Sequence, residues 1–303
     1  MQSFPAVDPI PLPAPIWLLK LLHIVTLSLH FVAVEMLLGG LLLAVSLSLF
    51  RSSPASLVAA RAMARRLTVV MTYVINLGVP PLLFAQVLYG RALYTSTVLI
   101  GAYWISIIAI LTLTYWLLYV FTARLESGRS AWWVGLSAWA LAGCIARLLS
   151  TNMTLMLRPE VWQQMYSASG AGIYLPTGDP TLTPRWLMMM AGGLFIGGLW
   201  MIYLAGRTTF TAEEKKFMAG LGGKVAALFG VNLPRSRALG RRCAAPGCQG
   251  WSGHACAVSF RRVRRLRLVG IGGRGDPHRR HRGLWEGSRQ LAGMDRRPRC
   301  PVN

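Results

Sequence analysis

Residues 16–50 read IWLLKLLHIVTLSLHFVAVEMLLGGLLLAVSLSLF, an apolar run that contains two histidines. A helix crosses the hydrocarbon core of a bilayer in roughly 20 residues, so this run is long enough to span it with a projecting start. His23 and His30 lie two helical turns apart and therefore project from one helix face. Ionisable side chains at membrane depth are costly and commonly functional. The run predicts a membrane protein whose first helix carries a haem ligand or an ion relay.

Four further apolar segments follow, and together they predict an all-α integral membrane protein of about five transmembrane helices. We place the spans at 16–50, 67–90, 97–122, 131–157 and 185–206. Basic residues cluster after the first, third and fifth spans, so the positive-inside rule puts these loops in the cytoplasm and the N-terminus outside. The composition, 54% apolar and 14% charged, is that of a membrane protein rather than a soluble domain. We expect a multi-pass protein of the bacterial cytoplasmic (inner) membrane.

Three shorter regions flank this transmembrane domain, which covers residues 15–206. Residues 1–14 are predicted to be a periplasmic lead, and residues 207–233 a cytoplasmic amphipathic helix that lies at the membrane surface. Residues 234–303 form an irregular basic tail, which holds 17 arginines and three acids and so carries +14 of the chain's +22 charge. Its composition indicates disordered or out-of-frame sequence, and the alternative is a basic arm for anionic lipid or RNA. Because the charge belongs to the tail, we expect the lipid bilayer, and no nucleic acid, as partner of the body.

The tail also holds four of the five cysteines, at positions 243, 248, 256 and 300. Together with His254 they match no standard paired spacing of zinc ligands. A zinc site there is therefore not part of the predicted function.

Four side chains are predicted to share one depth near the outer interface. Counting from the basic boundaries at 1.5 Å per residue places His30, Gln86, Asn152 and Met189 about 27–35 Å from the cytoplasmic face. This arrangement predicts a polar, sulfur-bearing layer beneath the outer loop 159–184. Such a layer is a candidate binding site for a cofactor.

Within that layer His30 suits an axial ligand of a haem iron, with a hydrogen-bonded polar residue as the alternative. His23 projects from the same face and cannot be the opposite ligand of the same haem, so bis-histidine ligation is excluded. The opposite ligand is then a methionine, with Met188, Met189 and Met190 as candidates, or the position is open. Headgroup contact for His23 and core packing for the methionines are the competing interpretations.

Glycine and proline mark two further features of the spans. Gly78-Val-Pro-Pro81 predicts a kink in the second span, because proline removes backbone donors. The pairs Gly39-Gly40, Gly192-Gly193 and Gly197-Gly198 allow either close helix contact or room for a flat cofactor.

Several short motifs resemble subunit I of the cytochrome bd-type quinol oxidases. They are His30-Phe31, INLGVPPLLFAQVLYGRALYTSTVLIGAYW at 75–104, NMTLMLRPEVW at 152–162 and DPTLTPRW at 179–186. In that family a histidine followed by phenylalanine in the N-terminal helix ligates a haem near the outer face. The family's next hairpin has a pattern that is matched here by Gly78, Val79, Phe84, Gln86, Tyr89, Gly90, Tyr94 and Ser96. The resemblance implies a b-type haem or a quinone as cofactor, with His30 as the iron ligand.

Two departures from the family narrow the expected function. Residues 97–122 contain no acid, whereas the oxidases carry glutamates there on a proton route, and no second clear haem-ligating histidine occurs in the later spans. We therefore expect a membrane electron-transfer subunit of a respiratory complex. By itself this subunit is not expected to reduce oxygen, and no set of catalytic residues is predicted. Other membrane redox subunits and a periplasmic c-type cytochrome are its expected partners. The alternative is a haem-free scaffold or transport subunit that retains the fold.

Overall fold

The computed structural model describes residues 7, 12, 14–129, 131–176 and 179–243, with side chains as far as residue 230. Within these ranges the secondary structure is helical and contains no strand. Seven α-helices follow one another: α1 Ile16–Phe50, α2 Pro54–Leu99, α3 Gly101–Glu126, α4 Trp132–Met156, α5 Trp162–Ala168, α6 Leu182–Ala205 and α7 Ala212–Cys243. All but α5 are long helices, and α5 follows a short 3₁₀ turn at Pro159–Val161. Outside the described residues lie Cys248, His254, Cys256 and Cys300, four of the candidate zinc ligands, and nearly all of the N-terminal lead.

Five of these helices, α1 to α4 and α6, are long and apolar enough to cross a membrane. The chain is therefore a multi-pass membrane protein of all-α class, as the sequence predicts. Its main core lies where α1, α2, α3, α4 and α6 meet. The largest fully buried side chains there include Leu41, Met63, Leu67, Met71, Leu118, Phe121 and Leu125.

Helix α2 is longer than the predicted span 67–90. It begins at Pro54, after Ser53 caps the first turn with its hydroxyl oxygen. The positive-inside rule places Arg61, Arg65 and Arg66 in a loop, whereas they lie on helix α2. Arg65, for example, donates to Glu126 of α3 across 2.6 Å. Long basic side chains of this kind reach polar surroundings from within a helix.

The backbone of α2 leaves helical geometry at Tyr89, with φ −134° and ψ 34°. This is the only such residue within α2, although the sequence predicts the kink at Gly78–Pro81. Proline holds φ near −65°, which is a helical value, so Pro80 and Pro81 remove two backbone donors without ending the helix. The later part of α2 therefore changes direction eight residues after the prolines.

Glycines bring α1 and α6 into backbone contact. A side chain added at Gly39 would overlap the backbone of Gly193, and one added at Gly197 would lie 2.7 Å from the carbonyl carbon of Gly39. Of the two roles that the sequence allows for these glycines, close helix packing is the one that is realised. The α1/α6 contact leaves no space for a flat cofactor.

Helix α7 differs from the predicted surface helix 207–233. It begins at Ala212 and extends to Cys243, and its described side chains pack antiparallel along α6. Gly222 approaches Gly198, and Gly230 approaches Phe195 nearer the start of α6. The sequence does not predict this contact. The spacing of the α7 glycines is compatible with an ordinary amphipathic helix, and only the structure shows that they pack against α6.

Candidate functional site near the N-terminal end of α1

Both membrane histidines are hydrogen-bonded to the backbone of α2. The Nδ1 atom of His30 lies 3.1 Å from the Val74 carbonyl oxygen, and the Nδ1 atom of His23 lies 3.0 Å from the Pro81 carbonyl oxygen. The two histidines are seven residues apart in α1, and so are the two carbonyls in α2, in the opposite chain direction. The spacing that places both histidines on one face is thus also the register of the antiparallel α1/α2 pair.

These hydrogen bonds define the protonation of the imidazoles. A carbonyl oxygen only accepts, so Nδ1 carries the proton and donates it. In a neutral His30 ring the other nitrogen, Nε2, then keeps its lone pair. A backbone carbonyl on Nδ1 is the usual partner of a metal-ligating histidine, because it fixes the tautomer and the ring orientation. His30 and His23 are equally prepared in this respect.

Gly78 provides the space that the His30 ring occupies. A methyl group at Gly78 would lie 3.0 Å from the ring carbon Cε1 and 3.2 Å from Nδ1. Both distances are shorter than ordinary carbon contacts, so any side chain at this position would push the ring away from Val74. The glycine of the G-V-P-P motif therefore serves His30 directly, which the sequence did not reveal.

His23 occupies different surroundings. Its ring meets Tyr89 edge-on, with centroids 6.5 Å apart, beside the break in α2. The ring is half-buried and lies about 10 Å further along α1 than His30, toward its N-terminal end. His23 therefore lies at the end of the α1/α2 pair that contains the N-terminus of α1, near the break in α2 at Tyr89.

Asn152 is the polar group of this region that lacks a partner. It is 1% exposed, and within the described residues neither its amide nitrogen nor its amide oxygen makes a hydrogen bond. It lies one turn before Met156, which packs against Ala85 of α2, so the amide belongs to the same side of α4. An unpaired amide in an apolar interior is costly and calls for an explanation.

The helix register places Asn152 and His30 at similar depth. Leu38 of α1 packs against Ala142 and Ala146 of α4. His30 precedes Leu38 by eight residues, about 12 Å, and Asn152 follows the two alanines by six and ten residues, about 9–15 Å. Since α1 and α4 run in opposite directions, both side chains lie a similar distance from Leu38 toward the end of the bundle that contains the N-terminus of α1.

Gln86 does not share that depth. It follows Val74, the hydrogen-bond partner of His30, by 12 residues, which is about 18 Å of helix. The predicted depth of Gln86 takes Arg66 as the membrane boundary, whereas α2 begins at Pro54. The prediction therefore places Gln86 too close to the cytoplasmic end of the helix. Its side chain is half-buried and makes no hydrogen bond within the described part of the chain.

The methionines are also placed apart from His30. Met189 and Met190 pack around Leu38, in the apolar cluster that joins α1, α4 and α6. His30 instead faces α2. Met188 is half-buried on the same helix as its neighbours. The described contacts thus explain two of the three methionines by packing, and they bring none of them against the His30 ring.

Glu35 points to a third neighbour of α1. Its Oε1 atom would lie 2.8 Å from a methyl group at Gly192, so the carboxyl group rests on α6. Around α1, His30 therefore faces α2, Leu38 faces α4, and Glu35 faces α6. This distribution separates the glutamate from the histidines.

Ion pairs and a tryptophan hold the segment between α4 and α6. Arg158 contacts Glu160 across 2.9 Å and Asp179 across 3.7 Å. The hydrogen bond from Arg158 holds the pKa of Glu160 below its usual range. Burial opposes the ionisation of Asp179, but hydrogen bonds from Thr181 and the nearby arginines outweigh it and lower its pKa. Trp162 donates from its indole nitrogen to the Leu155 carbonyl, 2.9 Å away, and joins α5 to α4.

Within the described residues no three His, Cys, Asp or Glu side chains are grouped so as to hold a metal ion. A haem requires less of the protein, since one axial side chain is sufficient. Among the described residues His30 offers one ring nitrogen, Nε2, that takes no part in the bond to Val74, while Met189 and Met190 pack in another cluster. The orphaned amide of Asn152 fits a ligand that carries hydrogen-bonding groups.

Comparisons with protein-family models, with curated proteins and with solved structures find no match to this chain. The fold and the site define it as an all-α, multi-pass membrane protein with a group of polar side chains near the N-terminal end of α1. The resemblance to the bd-type cytochromes consequently rests on the motif residues alone.

Proposed function

We propose that this chain is an electron-transfer subunit of a bacterial inner-membrane respiratory complex, related to the bd-type cytochromes. In this proposal His30 is the axial ligand of a b-type haem near the periplasmic face. The observation that supports it best is the hydrogen bond from Nδ1 of His30 to Val74, which leaves Nε2 with a lone pair for iron. When bound, the haem supplies a one-electron carrier.

The residues of the chain would prepare that ligand in two ways. The Val74 carbonyl holds the ring orientation and raises the basicity of Nε2, as a second partner does for a metal-bound imidazole. Gly78 admits the ring against α2. Met189 and Met190 would not hold the haem, because they pack around Leu38 in another cluster. A periplasmic c-type cytochrome is the proposed electron partner.

A quinone is the second cofactor in this proposal, and Asn152 is the side chain that favours it. An amide can donate to the carbonyl oxygen of a quinone and accept from the hydroxyl of the reduced form. The buried amide of Asn152 has both functions unused within the described residues. Gln86 is half-buried and lies further toward the C-terminal end of α2. It would contact the quinone only if the quinone extends along α2 in that direction.

The test of the haem assignment is a reduced-minus-oxidised absorbance spectrum of the purified protein. The wild type should show b-type bands, His30→Ala should lose them, and His23→Ala should retain them. His23 is a matched control, because it makes the same hydrogen bond to α2 two turns away. Bands that survive His30→Ala would refute the ligand assignment.

The competing function is a haem-free scaffold or transport subunit that retains the fold. The glycine contact between α1 and α6, which leaves no room for a flat group, favours it. A protein purified with its native lipids that shows no b-type bands and contains no extractable quinone would end the redox proposal and leave the haem-free function in its place.

A further inference from the structure

A strip of polar side chains lies on the exposed surface where α2 and α3 pack together. The hydroxyl of Thr72 on α2 lies 3.0 Å from the hydroxyl of Tyr115 on α3, which in turn lies 3.4 Å from that of Tyr119. The amide nitrogen of Asn76, one turn after Thr72, donates to the Thr72 carbonyl oxygen across 2.8 Å. Thr72, Asn76 and Tyr119 are exposed, and Tyr115 is half-buried.

This strip lies at membrane depth. The ion pair between Arg65 and Glu126 joins the charged ends of α2 and α3, at 2.6 Å. Asn76 follows Arg65 by 11 residues and Tyr115 precedes Glu126 by 11 residues, which is about 16 Å of helix in both cases. The hydrocarbon core of a bilayer is about 30 Å thick, so Asn76 lies near its middle.

The amide of Asn76 has hydrogen-bonding capacity that the described residues leave unused. One of its two N–H groups is bonded to Thr72, and within the described part of the chain its Oδ1 atom and its second N–H make no hydrogen bond. Pro80 also brings no N–H to the carbonyl oxygen of Asn76 four residues earlier. Acyl chains cannot satisfy such groups, and an unsatisfied polar group in hydrocarbon is costly. A protein partner is therefore a better neighbour than lipid for this surface.

The residues around Asn76 have the pattern of a helix-pairing surface. Val69, Asn76 and Leu83 recur every seven residues along α2, and both apolar members are more than half exposed, at 55% and 53%. Tyr73 and Val79 lie between them and are also exposed, at 59% and 51%. A seven-residue repeat keeps such side chains on one line of the helix, and a single asparagine in that line fixes the register and the number of paired helices.

The chemistry of the amide indicates a second copy of this chain as the partner. An amide both donates and accepts, so two identical amides satisfy each other with two reciprocal hydrogen bonds. Copies of one chain share one orientation in the membrane. In a pair related by a two-fold axis along the membrane normal, the two α2 helices are consequently parallel and their Asn76 residues meet at one depth. A different protein would need its own polar side chain at that depth.

We propose that α2 pairs with α2 of a second copy of this chain, with the amide groups of the two Asn76 residues hydrogen-bonded to each other. Val69, Val79 and Leu83 pack against their counterparts on both sides of the amide pair. This dimer does not depend on any cofactor at His30, because His30 faces α2 from α1, and the pairing surface is the exposed side of α2.

The experiment measures energy transfer between full-length chains that carry a donor or an acceptor dye at the N-terminal amine, in phosphatidylcholine liposomes at increasing lipid-to-protein ratio. The wild type should show transfer that decreases on dilution in lipid, as expected for a dimer. Asn76→Leu should raise the apparent dissociation constant by about tenfold or more, the effect of two lost interhelical hydrogen bonds. Asn76→Gln keeps the amide and should remain close to the wild type.

Ser28→Leu is the matched control. Ser28 is also an exposed polar side chain of a membrane helix, and its hydroxyl donates to the Ile24 carbonyl oxygen of its own helix across 2.7 Å. Its substitution should leave the dissociation constant unchanged. Because the one hydrogen bond of the Asn76 side chain is to its own helix, Asn76→Leu should keep the wild-type elution of a folded chain in size-exclusion chromatography at high detergent concentration.

Three results would overturn the proposal. One is the absence of energy transfer between wild-type copies at every lipid dilution, which would assign the strip to a helix of a different protein. The second is an unchanged dissociation constant for Asn76→Leu. The third is an equal loss of transfer in Asn76→Leu and Ser28→Leu, which would show that the effect is not specific to the amide.

Discussion

The contact between Gly78 and His30 predicts that Gly78→Ala changes the free energy of unfolding in opposite directions with and without the His30 ring. Gly78→Ala places a methyl group 3.0 Å from Cε1 of His30, whereas ordinary contacts begin near 3.4 Å. The ring must shift by a few tenths of an ångström, which lengthens the 3.1 Å bond to Val74 toward the limit of a hydrogen bond. Overpacking costs about 1–3 kcal/mol and the weakened bond about 1 kcal/mol, against a gain of about 1 kcal/mol in helix propensity.

Gly78→Ala should therefore destabilise the wild type by about 1–3 kcal/mol. In a His30→Ala background the ring is gone, and the same substitution should stabilise the protein by about 1 kcal/mol. A double-mutant cycle, measured by reversible unfolding in mixed detergent micelles, gives the coupling energy directly. Gly220→Ala is the control, because its added methyl group meets no atom within 4 Å and should have one sign in both backgrounds. An equal effect of Gly78→Ala in both backgrounds would refute the proposed contact.

Three further predictions concern other parts of the bundle. Asn152→Leu removes the unpaired amide and should stabilise the ligand-free protein by about 1–3 kcal/mol in the same unfolding assay; a loss of stability would show that the amide has a partner after all. Gly39→Leu should destabilise it by about 3 kcal/mol or prevent folding, seen as loss of the monodisperse peak in size-exclusion chromatography, while Gly220→Leu should be tolerated. Gly198→Leu should weaken the α6/α7 contact and destabilise the protein in the same unfolding assay, because a Cβ at Gly198 would lie 2.8 Å from the Gly222 carbonyl oxygen and 2.9 Å from the Ala226 nitrogen; an α7 that does not pack on α6 would leave the stability unchanged.

The number and approximate position of the membrane helices follow from the sequence because hydropathy is a local property of each segment. The spans at 131–157 and 185–206 end within a few residues of α4 and α6. The start of α2 was missed because the positive-inside rule was applied to arginines as loop residues, whereas Ser53 and Pro54 are ordinary helix-start residues. A charge pattern identifies a side of the membrane, and the capping residues identify the end of a helix.

The candidate site was predictable only in part, for a related reason. Helical spacing correctly separates Glu35 from His30 around α1, since this depends on one helix alone. The common depth of Gln86 and His30 required the offset between two helices, and an error in where α2 begins became an error of about 18 Å in the site. The packing of Met189 required the neighbours from three helices, which no single segment encodes.

His23 and His30 make the same kind of hydrogen bond to α2, so this bond cannot distinguish their roles. Each donates Nδ1–H to a carbonyl of α2, so this bond alone explains the presence of a histidine at both positions without any cofactor. Only His30 has a glycine opposite its ring and an unpaired buried amide, that of Asn152, at similar depth. A role shared by both residues is therefore structural, and a role in binding must come from these neighbours. A cofactor lost with His30→Ala and retained with His23→Ala would consequently locate the binding site between α1, α2 and α4.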